Sequence, residues 1–267
     1  MQVGRPRIMG VVNVTPDSFS DGGRFLDHPA AIAHAHTLVA LGADWVDVGG
    51  ESTRPRAEPV PVDEELRRVV PVVEALAADG VAVSIDTRKA EVARAAVAAG
   101  ARLVNDVSSS LADVAAEAGA GFVAMHMLGD PRTMQDDPAY DDVVLDVRDY
   151  LVDRADAARA AGVADVWIDP GIGFGKTLDH NLDLLANLDV LVATGYPVLV
   201  ATSRKSMLGT LAARADPGGA VPPPADRLEG SVATAVWALL LGAAMVRAHD
   251  VAATVQAFEA VSYTRET

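Results

Sequence analysis

Eight short apolar runs, each followed by a polar residue fit for binding or catalysis, constrain this chain more than any other feature. The runs are Ile8–Val12, Trp45–Val48, Val81–Ile85, Leu103–Val104, Phe122–Met125, Val166–Ile168, Val198–Val200 and Met245–Val246. Behind them stand Asn13, Gly49-Gly50-Glu51-Ser52-Thr53, Asp86, Asn105-Asp106, His126, Asp169, Ser203-Arg204-Lys205, and Arg247 with His249. Strands buried on both faces read as unbroken Val/Ile/Leu runs, and strands alternating with amphipathic helices make a parallel sheet. Eight such units in 267 residues predict one (β/α)8 barrel spanning 1–267 as a single domain. Sites in such barrels lie at the carboxyl ends of the strands, where these polar residues fall. The organisation is that of an enzyme.

Half of the residues are apolar but only 4% are aromatic, so Val, Ala and Leu must fill the barrel. Cysteine is absent, which removes disulfides, thiolate metal ligands and a cysteine nucleophile, and fits a reducing cytoplasm. We find no charged-then-apolar leader and no apolar run of about 18 residues, so the expected location is cytoplasmic, off the membrane. The net charge of −15 disfavours nucleic acid and anionic membrane surfaces as partners. An anionic small-molecule substrate would need local positive charge, and Arg54, Arg204, Lys205, Arg247 and His249 all fall at strand ends.

Two long loops rich in Pro, Gly, Asp and Ser follow the first two strands, Val14–His28 and Gly49–Pro61. Loops of this length inside a compact domain are usually functional. The helical pattern covers Ala30–Leu41, Asp63–Ala78, Lys89–Ala99, Ala112–Ala118, Asp142–Ala161, Asp179–Leu188, Ser206–Ala213, Arg227–Leu241 and Ala252–Ser262. Glycines in Leu41-Gly42-Ala43, Ala99-Gly100-Ala101 and Ala161-Gly162-Val163 sit where a helix must stop before the next strand. The prolines of Asp216–Pro224 predict an exposed excursion.

Asp86, Asn105, Asp169 and Lys205 end strands three, four, six and seven. Two carboxylates, a carboxamide and an ammonium facing one cavity suit a flat heterocycle with adjacent N–H groups. Asp86 taken alone would be an N-cap for the helix near Lys89, but its company favours the binding role. Asn13, Arg247 and His249 end strands one and eight, which are neighbours when a barrel closes. The Asn13 amide, with the loop carboxylates Asp17 and Asp21, suits a hard cation such as Mg2+. Arg247 matches a phosphate bidentately, with His249 as a further donor.

The glycines of Asp169-Pro170-Gly171-Ile172-Gly173-Phe174-Gly175-Lys176-Thr177 look superficially like a phosphate loop, but the Walker spacing does not match. A tight turn against a ligand, with Phe174 as an apolar wall, is the better reading. His34 and His36, two apart on a helix, do not share a face; His28 and His180 read as surface groups. His126 reads as a packed support as readily as a site residue. Glu64, Glu65, Arg67 and Arg68 read as a solvated helix face.

These motifs resemble the dihydropteroate synthase family of pterin-binding barrels. Four segments carry the resemblance: Gly10–Gly23 (GVVNVTPDSFSDGG), Asp47–Pro55 (DVGGESTRP), Asp169–Thr177 and Ser203-Arg204-Lys205-Ser206. Ser84-Ile85-Asp86-Thr87, Asn105-Asp106-Val107, Met125-His126-Met127 and Arg247-Ala248-His249-Asp250 complete it, in family order from about Met9 to Ala252.

The resemblance implies condensation of 6-hydroxymethyl-7,8-dihydropterin pyrophosphate with p-aminobenzoate, by departure of pyrophosphate before attack of the arylamine. Carried over by position, it implies that Asp86, Asn105, Met125, Asp169 and Lys205 hold the pterin. Asn13, Arg54, Arg247 and His249 would hold the pyrophosphate, with Mg2+ on Asn13. Phe19, Thr53, Pro55, Phe174, Lys205 and Ser206 would form the arylamine pocket. Asp21, Asp86, Asp169, Lys205 and Arg247 would carry the catalysis, and the chain would work as a homodimer. A methyltetrahydrofolate-binding methyltransferase domain is the enzymatic rival, disfavoured because a methyl donor needs no pyrophosphate site. A non-catalytic pterin-binding paralogue is the rival from another class, disfavoured by the intact Asn13, Lys205, Arg247 and His249. Two departures stand out: Arg56 and Ser109 occupy positions where the family usually has glycine.

Overall fold

The computed structural model describes residues 6–15, 27–52, 58–130, 133–216 and 218–262. Eight strands alternate with helices: β1 (Arg7–Asn13), α1 (His28–Ala40), β2 (Trp45–Gly49), α2 (Val62–Ala78), β3 (Val83–Asp86), α3 (Ala90–Ala98), β4 (Leu103–Asp106) and α4 (Ala112–Ala118). Then follow β5 (Gly121–Met125), α5 (Val143–Ala160), β6 (Val166–Asp169), α6 (Leu178–Ala186), α7 (Leu188–Val192), β7 (Leu199–Val200), α8 (Ser206–Ala215), α9 (Leu228–Leu240), β8 (Met245–Ala248) and α10 (Val251–Ser262). The strands pair in parallel in the order β6-β5-β4-β3-β2-β1-β8-β7. A parallel bridge between Ile168 and Val198 joins β6 to the β7 side and brings the ends of the sheet together. The expected (β/α)8 barrel is what the sequence forms.

Side chains alternate across a strand, so one parity faces the barrel axis and the other the helices. Val46, Val48, Phe122, Ala124, Val166 and Ile168 pack in the large outer core under the helices. Met9, Leu103, Val123, Trp167, Leu199, Ala201 and Met245 form a separate inner cluster, with Trp45 against it. The inward parity includes Asn13 on β1, Asp47 on β2, Asp86 on β3, Asn105 on β4, Met125 on β5, Asp169 on β6 and Arg247 on β8. The barrel is thus closed at its lower end by apolar side chains and polar at its carboxyl end.

Several local expectations change. Expected bounds shift by one or two residues, and the strand read as Val198–Val200 contracts to Leu199–Val200 because Val198 serves the bridge to Ile168. The helix read as Asp179–Leu188 stops at Ala186, and a separate five-residue α7 follows Asn187, whose φ of −113° breaks the turn. Gly100 has φ +113°, and a Cβ there would lie 2.4 Å from the Cβ of Ala77, so this helix-to-strand turn needs glycine twice over.

The supposed solvated face of α2 is wrong for two of its residues. Glu65 is fully buried and Arg68 nearly so. Glu65 accepts from the Thr87 hydroxyl at 2.7 Å and pairs with Lys89, while Arg68 donates to the Gly50 carbonyl at 2.8 Å. Lys89 also pairs with Glu51, which accepts from Arg88 at 3.0 Å and from the Val60 backbone N–H at 2.9 Å. These charges anchor both ends of the segment after β2. Burial alone would raise the Glu51 pKa, but the bonds from Lys89 and Val60 and the charges of Lys89 and Arg88 outweigh it and lower it.

Candidate functional site

The floor of the mouth is built around one carboxylate. Asp47 is fully buried, and its Oδ2 accepts from Arg247 Nε at 2.6 Å and from Asn105 Nδ2 at 3.1 Å. Arg247 also reaches Asp86 Oδ2 through Nη2 at 2.9 Å. Strands two, three, four and eight therefore meet in one ionic network. The Asp47 Oδ1 and the in-register Ser84 hydroxyl are both buried with no hydrogen-bond partner.

Two carboxylates against one guanidinium leave this floor negative. Burial raises the Asp86 pKa to about 7; Arg247 opposes the shift, while Asp47, Glu65 and Asp106 add to it. For Arg247, burial works against the charge, but Asp47 and Asp86 prevail and push its pKa up. Asp86 is not a helix cap: Lys89 holds that position in α3, and its backbone N–H donates to the Thr87 hydroxyl at 3.2 Å. Asp106, on the outward parity, spends both oxygens on the backbone N–H groups of Ser108, Ser110 and Leu111 and is structural.

The second half of the site lies at β6 and β7. Asp169 is buried and accepts from the Gly171 backbone N–H at 2.7 Å. Burial pushes its pKa up, against the charge of Lys205 and the Gly171 bond. Lys205 precedes α8, donates to the Ile172 carbonyl, and holds its ammonium 4.6 Å from the centre of the Phe174 ring. Burial lowers its pKa to about 8, with Asp169 working the other way. The glycine turn between them has φ of +64°, +83° and +65° at Gly171, Gly173 and Gly175. A Cβ on Gly171 would fall 1.8 Å from the His126 carbonyl oxygen, so only glycine fits there. Lys176 turns inward beneath its own loop rather than outward to a phosphate, in keeping with rejection of a Walker loop.

Around the rim, the placements are mixed. Arg204 is tied bidentately to Asp250 at 3.0 and 2.6 Å, so it does not contribute the open positive charge expected of it at the mouth. Its φ of +61° is stabilised by the Ser231 hydroxyl on its N–H and Arg227 on its carbonyl. His249 bonds Ser203 through ring Nδ1 at 3.0 Å, and Asn13 is half-buried at the end of β1. Ser206 is exposed at the first turn of α8. Met125 is buried at the end of β5, where its backbone exchanges two bonds with the Ser109 hydroxyl, at 2.7 and 2.8 Å. Ser109 has φ +52°, in the left-handed region that glycine enters most readily, and offsets the strain with these bonds. Asp17, Phe19, Asp21, Thr53, Arg54, Pro55 and Arg56 lie outside the described residues.

His28 is half-buried, and His180 caps α6 reciprocally with Thr177, so neither is a plain surface group. Among the described residues no cluster of three or more His, Cys, Asp or Glu is arranged to hold a metal. Asn13 offers one carboxamide oxygen, a donor set that suits Mg2+ taking its other ligands from phosphate oxygens and water. No helix among the described residues is long and apolar enough to cross a membrane.

Asp47 is the residue that sequence reasoning missed. It sits inside a run read as apolar, Trp45–Val48, and its signal is a carboxylate at inward parity two residues before the strand ends.

The chain is similar to known proteins in sequence and in fold. The family model described as pterin binding enzyme matches residues 9–249. A dihydropteroate synthase of Mycobacterium leprae is 50% identical over 269 residues, covering 98% of this chain and 94% of that relative. The dihydropteroate synthase of Xanthomonas albilineans, solved with 4-aminobenzoic acid, superposes with a TM-score of 0.90 at 47% identity, covering 99% of this chain and 95% of that one. The same enzyme, solved with 7,8-dihydropteroate, gives 0.87 at 44% identity, covering 100% and 96%.

Proposed function

We propose a division of labour for a chain that belongs to the pterin-binding enzyme family and, within it, to the dihydropteroate synthases. The activity is dihydropteroate synthesis: a pterin-methyl group passes to an arylamine in folate biosynthesis. The substrates are 6-hydroxymethyl-7,8-dihydropterin pyrophosphate and p-aminobenzoate, and the products are 7,8-dihydropteroate and pyrophosphate. The observation that carries the residue roles is the shared inward parity of Asp86, Asn105 and Asp169 at one mouth, with Lys205 beside them.

In this reading Asp86, Asn105, Met125, Asp169 and Lys205 take the pterin ring, the carboxylates accepting from its N–H groups. Asn13, Arg54, Arg247 and His249 take the pyrophosphate. Mg2+ held by Asn13 would supply charge neutralisation at the leaving oxygens. The methylene C–O bond breaks with its electron pair leaving on pyrophosphate, and the pterin-methyl cation forms beside Asp86 and Asp169. Preorganised carboxylates favour that positive charge as it develops. The arylamine nitrogen then forms the C–N bond and loses a proton, so no protein nucleophile is required. Phe174, Ser206 and the Lys205 stem wall the arylamine, with Phe19, Thr53 and Pro55 from the two long loops; Asp21 joins the catalytic group.

The whole chain works as one pterin-binding domain in the cytoplasm, a compartment suited to its lack of cysteine. A second copy of the chain is the partner: Trp237 and Leu240 lie 49% and 43% exposed, three residues apart on α9, an apolar face of the kind that homodimers cover.

The test is a two-substrate assay with purified protein and Mg2+, in which pyrophosphate and dihydropteroate appear only when both substrates are present. Tight pterin binding without product would overturn the assignment. Lys205→Ala and Asp169→Ala should each lose about 2–4 kcal/mol of transition-state stabilisation, and near-wild-type turnover in either removes that residue from the site.

A further inference from the structure

The residues that this mechanism leaves unused include two buried titratable groups, His126 and Lys176. Both sit beneath the glycine turn that follows β6, and both are almost inaccessible. Lys176 Nζ lies 2.8 Å from His126 Nδ1, 3.1 Å from the Gly171 carbonyl oxygen and 3.1 Å from that of Phe174. One amino group, its pKa lowered by burial to about 7, thus gathers the two halves of the turn and fastens both to the residue after β5. Buried carbonyls need donors, and Lys176 supplies one to each of these two, while Gln135 and Tyr140 serve the Gly173 and Gly175 carbonyls at 2.6 and 2.7 Å. The Gly171 carbonyl also accepts from the Phe174 backbone N–H at 3.0 Å, and Gly171 lies flush against His126, leaving no room for a side chain.

The turn delivers two features to the site. The Ile172 carbonyl accepts from Lys205, and the Phe174 ring lies under the Lys205 ammonium. We propose that Lys176 and His126 act as a buried positioning pair that fixes the glycine turn, and through it Lys205 and Phe174, for the arylamine. Neither touches substrate. His126 meets Lys176 as a neutral ring and packs T-shaped with Tyr150, the ring centres 4.9 Å apart. Burial and the neighbouring Lys176 charge both keep it neutral, holding its pKa near 3. This account also explains why a Gly-Lys-Thr sequence occurs here without a phosphate: the lysine serves the loop that carries it.

The inference rests on the assignment of the chain as a dihydropteroate synthase, and the experiment separates the two. Lys176→Met and His126→Leu remove the tie from either side, whereas His126→Asn keeps a polar atom near the Nδ1 position. Steady-state kcat and KM for p-aminobenzoate are measured for each full-length variant, with thermal unfolding to confirm that each is folded at assay temperature. The expected result is a rise of about tenfold or more in the arylamine KM for Lys176→Met and His126→Leu, with His126→Asn within about threefold of wild type. The double variant Lys176→Met/His126→Leu should be no worse than about twofold beyond the more impaired single variant, because both cut one tie. Should Lys176→Met not fold, the contrast between Leu and Asn at position 126 decides alone. The proposal is overturned if the two disruptive variants keep wild-type KM and kcat, or if His126→Asn is as impaired as His126→Leu. Failure of the wild type to make dihydropteroate would refute the assignment instead.

Discussion

Replacing Asp47 by asparagine tests the centre of the site with little change of shape. In the native floor its Oδ2 receives Arg247 Nε at 2.6 Å and Asn105 Nδ2 at 3.1 Å. The variant keeps one neutral acceptor and loses the ionic part of both bonds, while Arg247 retains Asp86 at 2.9 Å. Removing one charge-assisted bond of this kind loses about 1.5–3 kcal/mol, which is roughly a 10- to 200-fold drop in kcat/KM. The pH profile distinguishes this from simple loosening. The Asp86 pKa of about 7 is the net of burial, which raises it most, of Arg247, which opposes, and of Asp47, which adds to the rise. Without Asp47 the guanidinium serves Asp86 alone, so the Asp86 pKa falls and the acid limb of kcat/KM moves to lower pH. Stability carries the same sign. A carboxyl raised from 3.8 to about 7 contributes stability present below about pH 4 and lost as pH rises through about 7. That loss should shrink in the variant. A kcat/KM within about twofold of wild type, or an acid limb that stays put or moves upward, refutes the reasoning.

Ser109→Ala keeps the left-handed φ of +52° but loses both bonds to Met125, so it should lose about 2 kcal/mol, measured by thermal denaturation, and fall below Ser109→Gly, which relieves the strain. Gly171→Ala drives a Cβ to 1.8 Å from the His126 carbonyl and should lose about 3 kcal/mol or more in urea unfolding, with weakened pterin binding because the Gly171 N–H holds Asp169. Lys89→Met takes the ammonium from the fully buried Glu65, which keeps the Thr87 hydroxyl, while Glu51 keeps Arg88; it should lose about 3–5 kcal/mol by the same measurement, and the double variant Lys89→Met/Glu65→Leu should regain part of it.

What the sequence determined by itself is the barrel and the location of its mouth. Short Val/Ile/Leu-rich runs suit strands buried on both faces, and eight of them alternating with helices point to one closed parallel arrangement. The polar residues at their ends, Asp86, Asn105 and Asp169 among them, were legible because position along a strand fixes which end a residue occupies. What only the tertiary structure decided is which charges meet. Asp47 hid inside an apolar run, because parity identifies an inward residue only once the strand's register and axis are known. Glu65 and Arg68 looked solvated because their partners, Lys89, Thr87 and the Gly50 carbonyl, are close in space but lie 18 to 24 residues away in sequence. Arg204 looked available until Asp250, 46 residues on, was found to claim it. Spacing alone ruled out a phosphate loop around Lys176, but not its actual partner, His126, 50 residues earlier. Strand and helix periods are local properties of the chain, whereas ion pairs between strand ends are set by barrel closure, which joins residues up to 200 positions apart, as Arg247 and Asp47 are.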